Sequence, residues 1–203
     1  KPFQTSKKFI MRINKGNPFV FWPSSICETF PEEPSNLILS GDKEFSFTVD
    51  FTILEETSSQ KTIFTLLPRY SGLDVHNNTT IVTITYEDGA NYYDIGNVIK
   101  PFLRYSFTFE HIPKRKLTVF INKKAVVEED LTEKVLGLSN TPHIIFGAGN
   151  FPKNDFNLNY VDVDLHNFSI RQEGKLITNH NFEEKIFDKF VDTTNNLNFI
   201  HII

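Results

Sequence analysis

Residues 44–53 read EFSFTVDFTI, and within them Phe45, Phe47, Val49, Phe51 and Ile53 alternate without a break against Ser46, Thr48, Asp50 and Thr52. Successive side chains of an extended chain point to opposite faces, so this stretch predicts a strand with one face in a core and the other against polar surroundings. The same period returns in Leu103, Tyr105, Phe107 and Phe109, in Leu117, Val119 and Ile121, and in Val161, Val163 and Leu165, while 62–67 and 79–86 are β-branched runs. Turn signals at Gly72, Asp88-Gly89, Gly96 and Asn122-Lys123 separate them. Composition points the same way, because 3 Ala beside 21 Phe disfavours helix. Many short strands without amphipathic helices between them predict an all-β, antiparallel two-sheet sandwich. At most one short helix is expected, over 181–191, where Asn181 could cap, Glu184 follows three residues later and Ile186, Phe187, Phe190 and Val191 share a helical face.

A length of 203 residues predicts a single domain. Residues 1–35 set Pro18, Pro23, Pro31 and Pro34 around Trp22 and read as an N-terminal arm wrapping the sandwich, which itself takes 36–203. NFIHII at 198–203 reads as a strand that pairs with the opposite terminus. A formal net charge of −4 supplies no field for phosphate backbones, so nucleic acid is not an expected partner. The lone Cys27 excludes an intramolecular disulfide framework and a site of paired zinc thiolates, and no apolar run is long enough for a helix that inserts into a membrane. The chain opens at Lys1 without a charged and apolar leader, as an excised domain or a processed chain does.

The order of the segments carries a resemblance. NLILSGDKEFSFTVDFTI at 36–53 resembles the opening of laminin-G-like and concanavalin-A-like jelly rolls. LRYSFTFEHIPKRKLTVFINKKAV at 103–126 resembles their central hairpin, with Tyr105 near the usual Trp and Asn122-Lys123 in place of Asp-Gly; IIFGAGN at 144–150 and YVDVDLHNFSI at 160–170 resemble two later strands. The resemblance implies a jelly-roll sandwich that binds its ligand on a concave face or at rim loops. It also implies an extracellular, cell-surface or virion-surface setting. It does not imply one activity, since such folds serve lectins, protein-binding modules and polysaccharide-cleaving enzymes.

Sugar recognition needs flat aromatic faces beside planar amide, carboxylate or guanidinium groups. Candidates are Trp22 in the arm, Arg69-Tyr70 after a strand, and Asn91-Tyr92-Tyr93-Asp94 in an expected loop at 87–98, where at least one tyrosine must face solvent. Asp162 and Asp164 alternate with Val161 and Val163, so both carboxylates share a face that is either a sugar-binding surface or a plain wet one. Glu128, Asp130 and Glu133 have the E-x-D-x-x-E spacing of laminarinase-type glycosidases, which need two carboxyls about 5–5.5 Å apart and hence a bulge within the motif. The solvated acidic turn is the competing reading. Cys27 has no basic neighbour to make it a nucleophile. No cofactor is expected; Ca²⁺ is the alternative to a plain polar loop for the oxygen-rich Asn150, Asn154, Asp155, Asn157 and Asn159. The function expected is a non-catalytic carbohydrate-recognition or adhesion domain whose partner is a glycan. The alternatives are a structural or protein-binding jelly roll that packs against protein subunits of a larger assembly, and a glycoside hydrolase.

Overall fold

A computed structural model of the chain describes residues 11–13, 19–21, 39–67, 71–138, 143–149, 159–186, 189–192 and 200–202. Among them are fifteen strands and no helix. The larger sheet runs β10 (Lys124–Asp130), β9 (Lys116–Ile121), β8 (Arg104–Ile112), β3 (Phe45–Ile53), β12 (Val163–Gln172), β13 (Lys175–Ile186) and β14 (Lys189–Asp192), with β1 (Met11–Ile13) also paired to β12. The smaller runs β15 (Ile200–Ile202), β2 (Phe19–Phe21), β11 (His143–Phe146), β4 (Lys61–Leu67), β5 (Ser71–His76), β6 (Thr79–Tyr86) and β7 (Gly89–Asp94). Every pairing is antiparallel. Strand β2 lies between β11 and β15, so the last strand pairs with an early one.

The core follows from the alternation in β3, whose five apolar residues are buried while the intervening polar ones are half-exposed. Its neighbour β8 is in register, Phe47 against Phe109 and Val49 against Phe107, so the apolar rows of the two strands coincide. Phenylalanine fills the space between the sheets: Phe47 stacks on Phe109 at 5.2 Å, Phe64 meets Phe107 edge-on at 4.8 Å, and Phe146 meets Phe168 at 5.3 Å. Such offset and edge-to-face pairs add to the area buried by each ring.

Two-residue turns hold the hairpins. Asn77-Asn78, Asn122-Lys123 and Glu173-Gly174 all have both central residues at positive φ and join directly paired flanks, as right-twisted strands require. Four sequence expectations are corrected. Gly72 is no turn but lies inside β5, where its missing side chain lets β4 approach. The 87–98 segment is no open loop, because Gly89–Asp94 form the edge strand β7. Leu103 is 54% exposed, outside the core that takes Tyr105, Phe107 and Phe109. No helix forms over 181–186 and 189–192, which are strand: backbone pairing to β12 and between β13 and β14 satisfies these residues, several of them Asn, Phe and Ile with weak helix preference.

His111 on β8 is buried beside the turn that leads into β3. Its ring packs at a tilt of 36° against Phe45 at 5.0 Å and its Nδ1 donates to the Lys43 carbonyl at 2.8 Å, beside a surface cleft of about 180 Å³. Burial holds its pKa below the ordinary 6.5, against the smaller opposing effect of that hydrogen bond. The unfolded chain therefore binds a proton near pH 6.5 that the folded chain refuses until lower pH. Stability is expected to be full above about pH 6.5 and to fall as pH drops toward the depressed folded value. Urea unfolding at pH 7 and pH 5 checks this, with His111→Gln expected to show the smaller pH dependence.

Candidate functional site

The polar partners of the core rows lie on the outer face of the larger sheet and line up across its strands. Asp164 on β12 stands opposite Thr52 on β3, which stands opposite Arg104 on β8. In the next row Asn167, Asp50 and Ser106 are aligned, and beyond them Ser169, Thr48, Thr108 and Phe120. Strand β12 changes partner midway, from β1 along 163–165 to β13 from Asn167 onward, and a bulge at that junction sets His166 out of the regular alternation. The bulge gives the face its imidazole: His166 Nε2 lies 2.8 Å from Thr52 Oγ1.

These groups are held by one another. Arg104 Nη2 donates to Asp50 Oδ2 at 3.2 Å, with both side chains partly exposed. Thr48 and Thr108 share a hydrogen bond of 3.0 Å. Asp164 is 4% exposed and His166 8%, whereas Asp50, Thr52 and Asn167 are half-buried. The Oδ1 atom of Asn167 is buried and accepts no hydrogen bond, which costs free energy. Carboxylate, guanidinium, amide, imidazole and hydroxyl thus converge on rigid strands, a set able to donate to and accept from the vicinal hydroxyls of a sugar.

At the end of this face the turn before β8 carries Phe102. Its N–H donates to the Ile53 carbonyl at 2.8 Å, one residue out of the β3–β8 register that ends at Thr52 and Arg104, and the residue is 61% exposed. Sequence reasoning reached Asp164 but not Thr52, Arg104, Asp50, His166 or Phe102. The signal for three of these was present as the polar half of the 44–53 and 103–109 alternation.

The other candidates fall elsewhere. Trp22, Arg69 and Tyr70 lie outside the described residues, as do Cys27 and, of the Asn-rich stretch, Asn150, Asn154, Asp155 and Asn157. Asn159 is described, and its carbonyl accepts from Thr62 N at 2.9 Å. Asp162 precedes β12; its N–H donates to Glu55 Oε2 at 2.9 Å and its carbonyl accepts from Leu54. On β7 the two tyrosines separate as the strand period demands. Tyr92 is 73% exposed on the outer face of the smaller sheet. Asp94 lies two residues on, its Oδ1 taking the Gly96 N–H at 2.9 Å.

Tyr93 faces the open edge between the sheets. Its hydroxyl donates to Glu129 Oε1 at 2.5 Å and lies 3.3 Å from both the Tyr86 hydroxyl and Asn91 Nδ2. Glu129 also accepts from Lys134 at 3.3 Å, and Lys134 sits 5.0 Å over the Tyr86 ring. Burial first, then the neighbouring carboxylate, pushes the Tyr93 phenol up; burial and then Tyr93 itself do the same to Tyr86. Both stay neutral donors. This network ties β7 to β10 and leaves Asn91 and Tyr93 committed to the protein.

The acidic motif is divided. Glu128 lies on the outer face of β10, ion-paired with Lys116 at 3.3 Å, while Glu129 faces the inter-sheet edge. Asp130 accepts from the Thr132 hydroxyl at 2.5 Å and N–H at 2.8 Å, which hold its carboxyl below the usual range. Glu133 is exposed in the following turn. The bulge of β10 falls between Ala125 and Val127, upstream of the acids, so the strand is regular where a glycosidase of this kind would need it bent. Among the described residues no three His, Cys, Asp or Glu side chains gather as a metal site would require.

No protein-family model matches the chain, and no curated protein matches it in sequence. Solved structures do resemble it. The CBM40 module of the Ruminococcus gnavus IT-sialidase, bound to alpha2,3 sialyllactose, matches with a TM-score of 0.56 at 9% identity, over 83% of this chain and 91% of that one. A candidate carbohydrate binding protein from Bacteroides ovatus matches with a TM-score of 0.56 at 13% identity, over 97% of this chain and 60% of that one. Trypanosoma rangeli sialidase in complex with sialic acid matches with a TM-score of 0.56 at 14% identity, and there the chain spans 79% of its own length but 25% of the enzyme's. What these proteins share with the chain is its fold, the concanavalin-A-like jelly roll of two stacked antiparallel sheets.

Proposed function

We propose that the chain is a non-catalytic carbohydrate-recognition domain, and that it takes a glycan on the outer face of the larger sheet. The observation that carries this reading is the row Asp164–Thr52–Arg104, with Asp50 and His166 hydrogen-bonded into it, because planar acceptors and donors preset on adjacent strands suit paired hydroxyls. Carbohydrate-binding domains among the structural neighbours support it. Asp162, at the start of β12, borders this face. Tyr92 and Asp94 offer a separate exposed aromatic and carboxylate on the smaller sheet, and Trp22, Arg69 and Tyr70 stay candidates for the rim.

The test is a screen of immobilised glycans with the purified chain, followed by titration calorimetry on whatever binds. Arg104→Ala removes a charge-assisted donor and leaves Asp50 without its partner, so the dissociation constant is expected to rise about tenfold to a hundredfold. Unchanged affinity in that variant would move the site off this face. The protein-binding reading draws on the adjacent exposed Phe102 and Leu103. It expects self-association or subunit capture, which light scattering at high concentration reads directly.

A further inference from the structure

Eight non-glycine residues of the described chain have positive φ, and seven of them are polar residues of turns and loops: Asn77, Asn78, Lys114, Asn122, Lys123, Asn159 and Glu173. The eighth is Phe102, at φ 64. Asn tolerates that region through local hydrogen bonds, whereas a bulky aromatic residue does not, and the conformation carries strain of about 1–2 kcal/mol. Packing does not account for the ring, since it is 61% exposed. Neither backbone preference nor the core explains a phenylalanine here, and strain kept at an exposed position marks a functional constraint.

Position supplies that function. The Phe102 N–H is bonded to the Ile53 carbonyl, Ile53 is paired with Val163, and Asp164 follows Val163 on the polar face. With strands about 4.8 Å apart, the Phe102 backbone stands about 10 Å from that of β12. A single hexose resting on the ring can reach the Thr52 and Arg104 end of the row with its hydroxyls. We propose that Phe102 is the aromatic platform of the glycan site and that it receives the C–H face of an uncharged pyranose. The sugar is uncharged because Arg104 is already paired with Asp50, which keeps it from serving as counter-ion to a uronate or sialate. This inference rests on the glycan-binding reading above and narrows it.

Phe102→Gly tests it cleanly, because glycine accepts positive φ without strain and removes the platform in the same step. Thermal unfolding of this variant is expected at the same or a higher temperature than the parent chain. Its affinity for neutral probes, namely lactose, cellobiose and maltose oligosaccharides, is expected to drop about tenfold or more, with Phe102→Tyr restoring binding. Unchanged affinity in Phe102→Gly, when Arg104→Ala weakens the same probe, would overturn the platform and leave the glycan site standing. Binding of sialyllactose or oligouronates in preference to the neutral probes would overturn the sugar class. A parent chain that binds neither set overturns both this inference and the reading beneath it, and a change in oligomeric state confined to the Phe102 variants assigns the ring to a protein contact.

Discussion

Replacing Phe64 with alanine is expected to lower the free energy of unfolding by about 3–5 kcal/mol. Phe64 comes from β4 of the smaller sheet and is 1% exposed. It stands edge-on to Phe47 at 5.6 Å and to Phe107 at 4.8 Å, both from the larger sheet, and 6.4 Å from Phe146 beside it. One ring therefore links the two layers. A void of about 10 Å³ already lies among Phe47, Phe64, Phe107 and Phe109, so truncation enlarges a space that rigid strands cannot close. Against a total stability of about 5–15 kcal/mol, the change removes a large fraction of what holds the domain folded. Urea unfolding checks it: the midpoint should fall sharply with an unchanged slope, and Phe64→Leu should lose well under half as much. A loss below about 1 kcal/mol for alanine would mean that the sheets are held together elsewhere.

That ring was legible only in part. The clean alternation of 44–53 fixes a half-buried strand from sequence alone, and Phe47 and Phe109 follow from it, because a polar partner separates each apolar neighbour. Phe64 sits in KTIFTLL, where six consecutive residues from Lys61 are buried and β4 bulges between Thr62 and Phe64, so no period of two shows which face it takes. Strand β7 was hidden for a different reason. Gly, Ala, Asn and Asp dominate GANYYD, and only the ladder to β6 makes an edge strand of it. The 181–191 stretch misled because its apolar spacing fits a helical face, whereas the described residues 181–186 and 189–192 pair through the backbone as β13 and β14.

The candidate site was less legible than the fold, since its contacts are long-range. Asp50 and Arg104 lie 54 residues apart in the chain, and Thr52 and His166 lie 114 apart. The bulge that sets His166 in place arises where β1 gives way to β13, an event of sheet assembly with no local signature. Asp164 stood out because it and Asp162 put two carboxylates on one face of the alternation with Val161 and Val163. Phe102 did not, because φ is not written in sequence and a Pro-Phe pair before a strand is unremarkable.

Gly72 illustrates the same limit and yields the other large effect expected on stability. From sequence it reads as a turn; in the fold it lies at the second position of β5, paired with Thr65 on one side and Thr83 on the other. A Cβ at this position would lie 2.4 Å from the Phe64 carbonyl oxygen and 3.2 Å from the Thr65 Cα, both of them backbone atoms that cannot swing aside. The bulge in β4 between Thr62 and Phe64 brings that carbonyl close, so the glycine and the bulge depend on each other. Gly72→Val, which a free strand would welcome for its β-branched side chain, is instead expected to destabilise the domain by about 3 kcal/mol, with Gly72→Ala losing somewhat less. Thermal unfolding of the two variants beside Thr83→Val, a change on the neighbouring strand that meets no such constraint, separates the two ideas. A gain in stability for Gly72→Val would show that β4 can relax and that the tight approach is not required; a loss confined to the two Gly72 variants, with Thr83→Val close to the parent chain, ties the destabilisation to backbone contact at that one position.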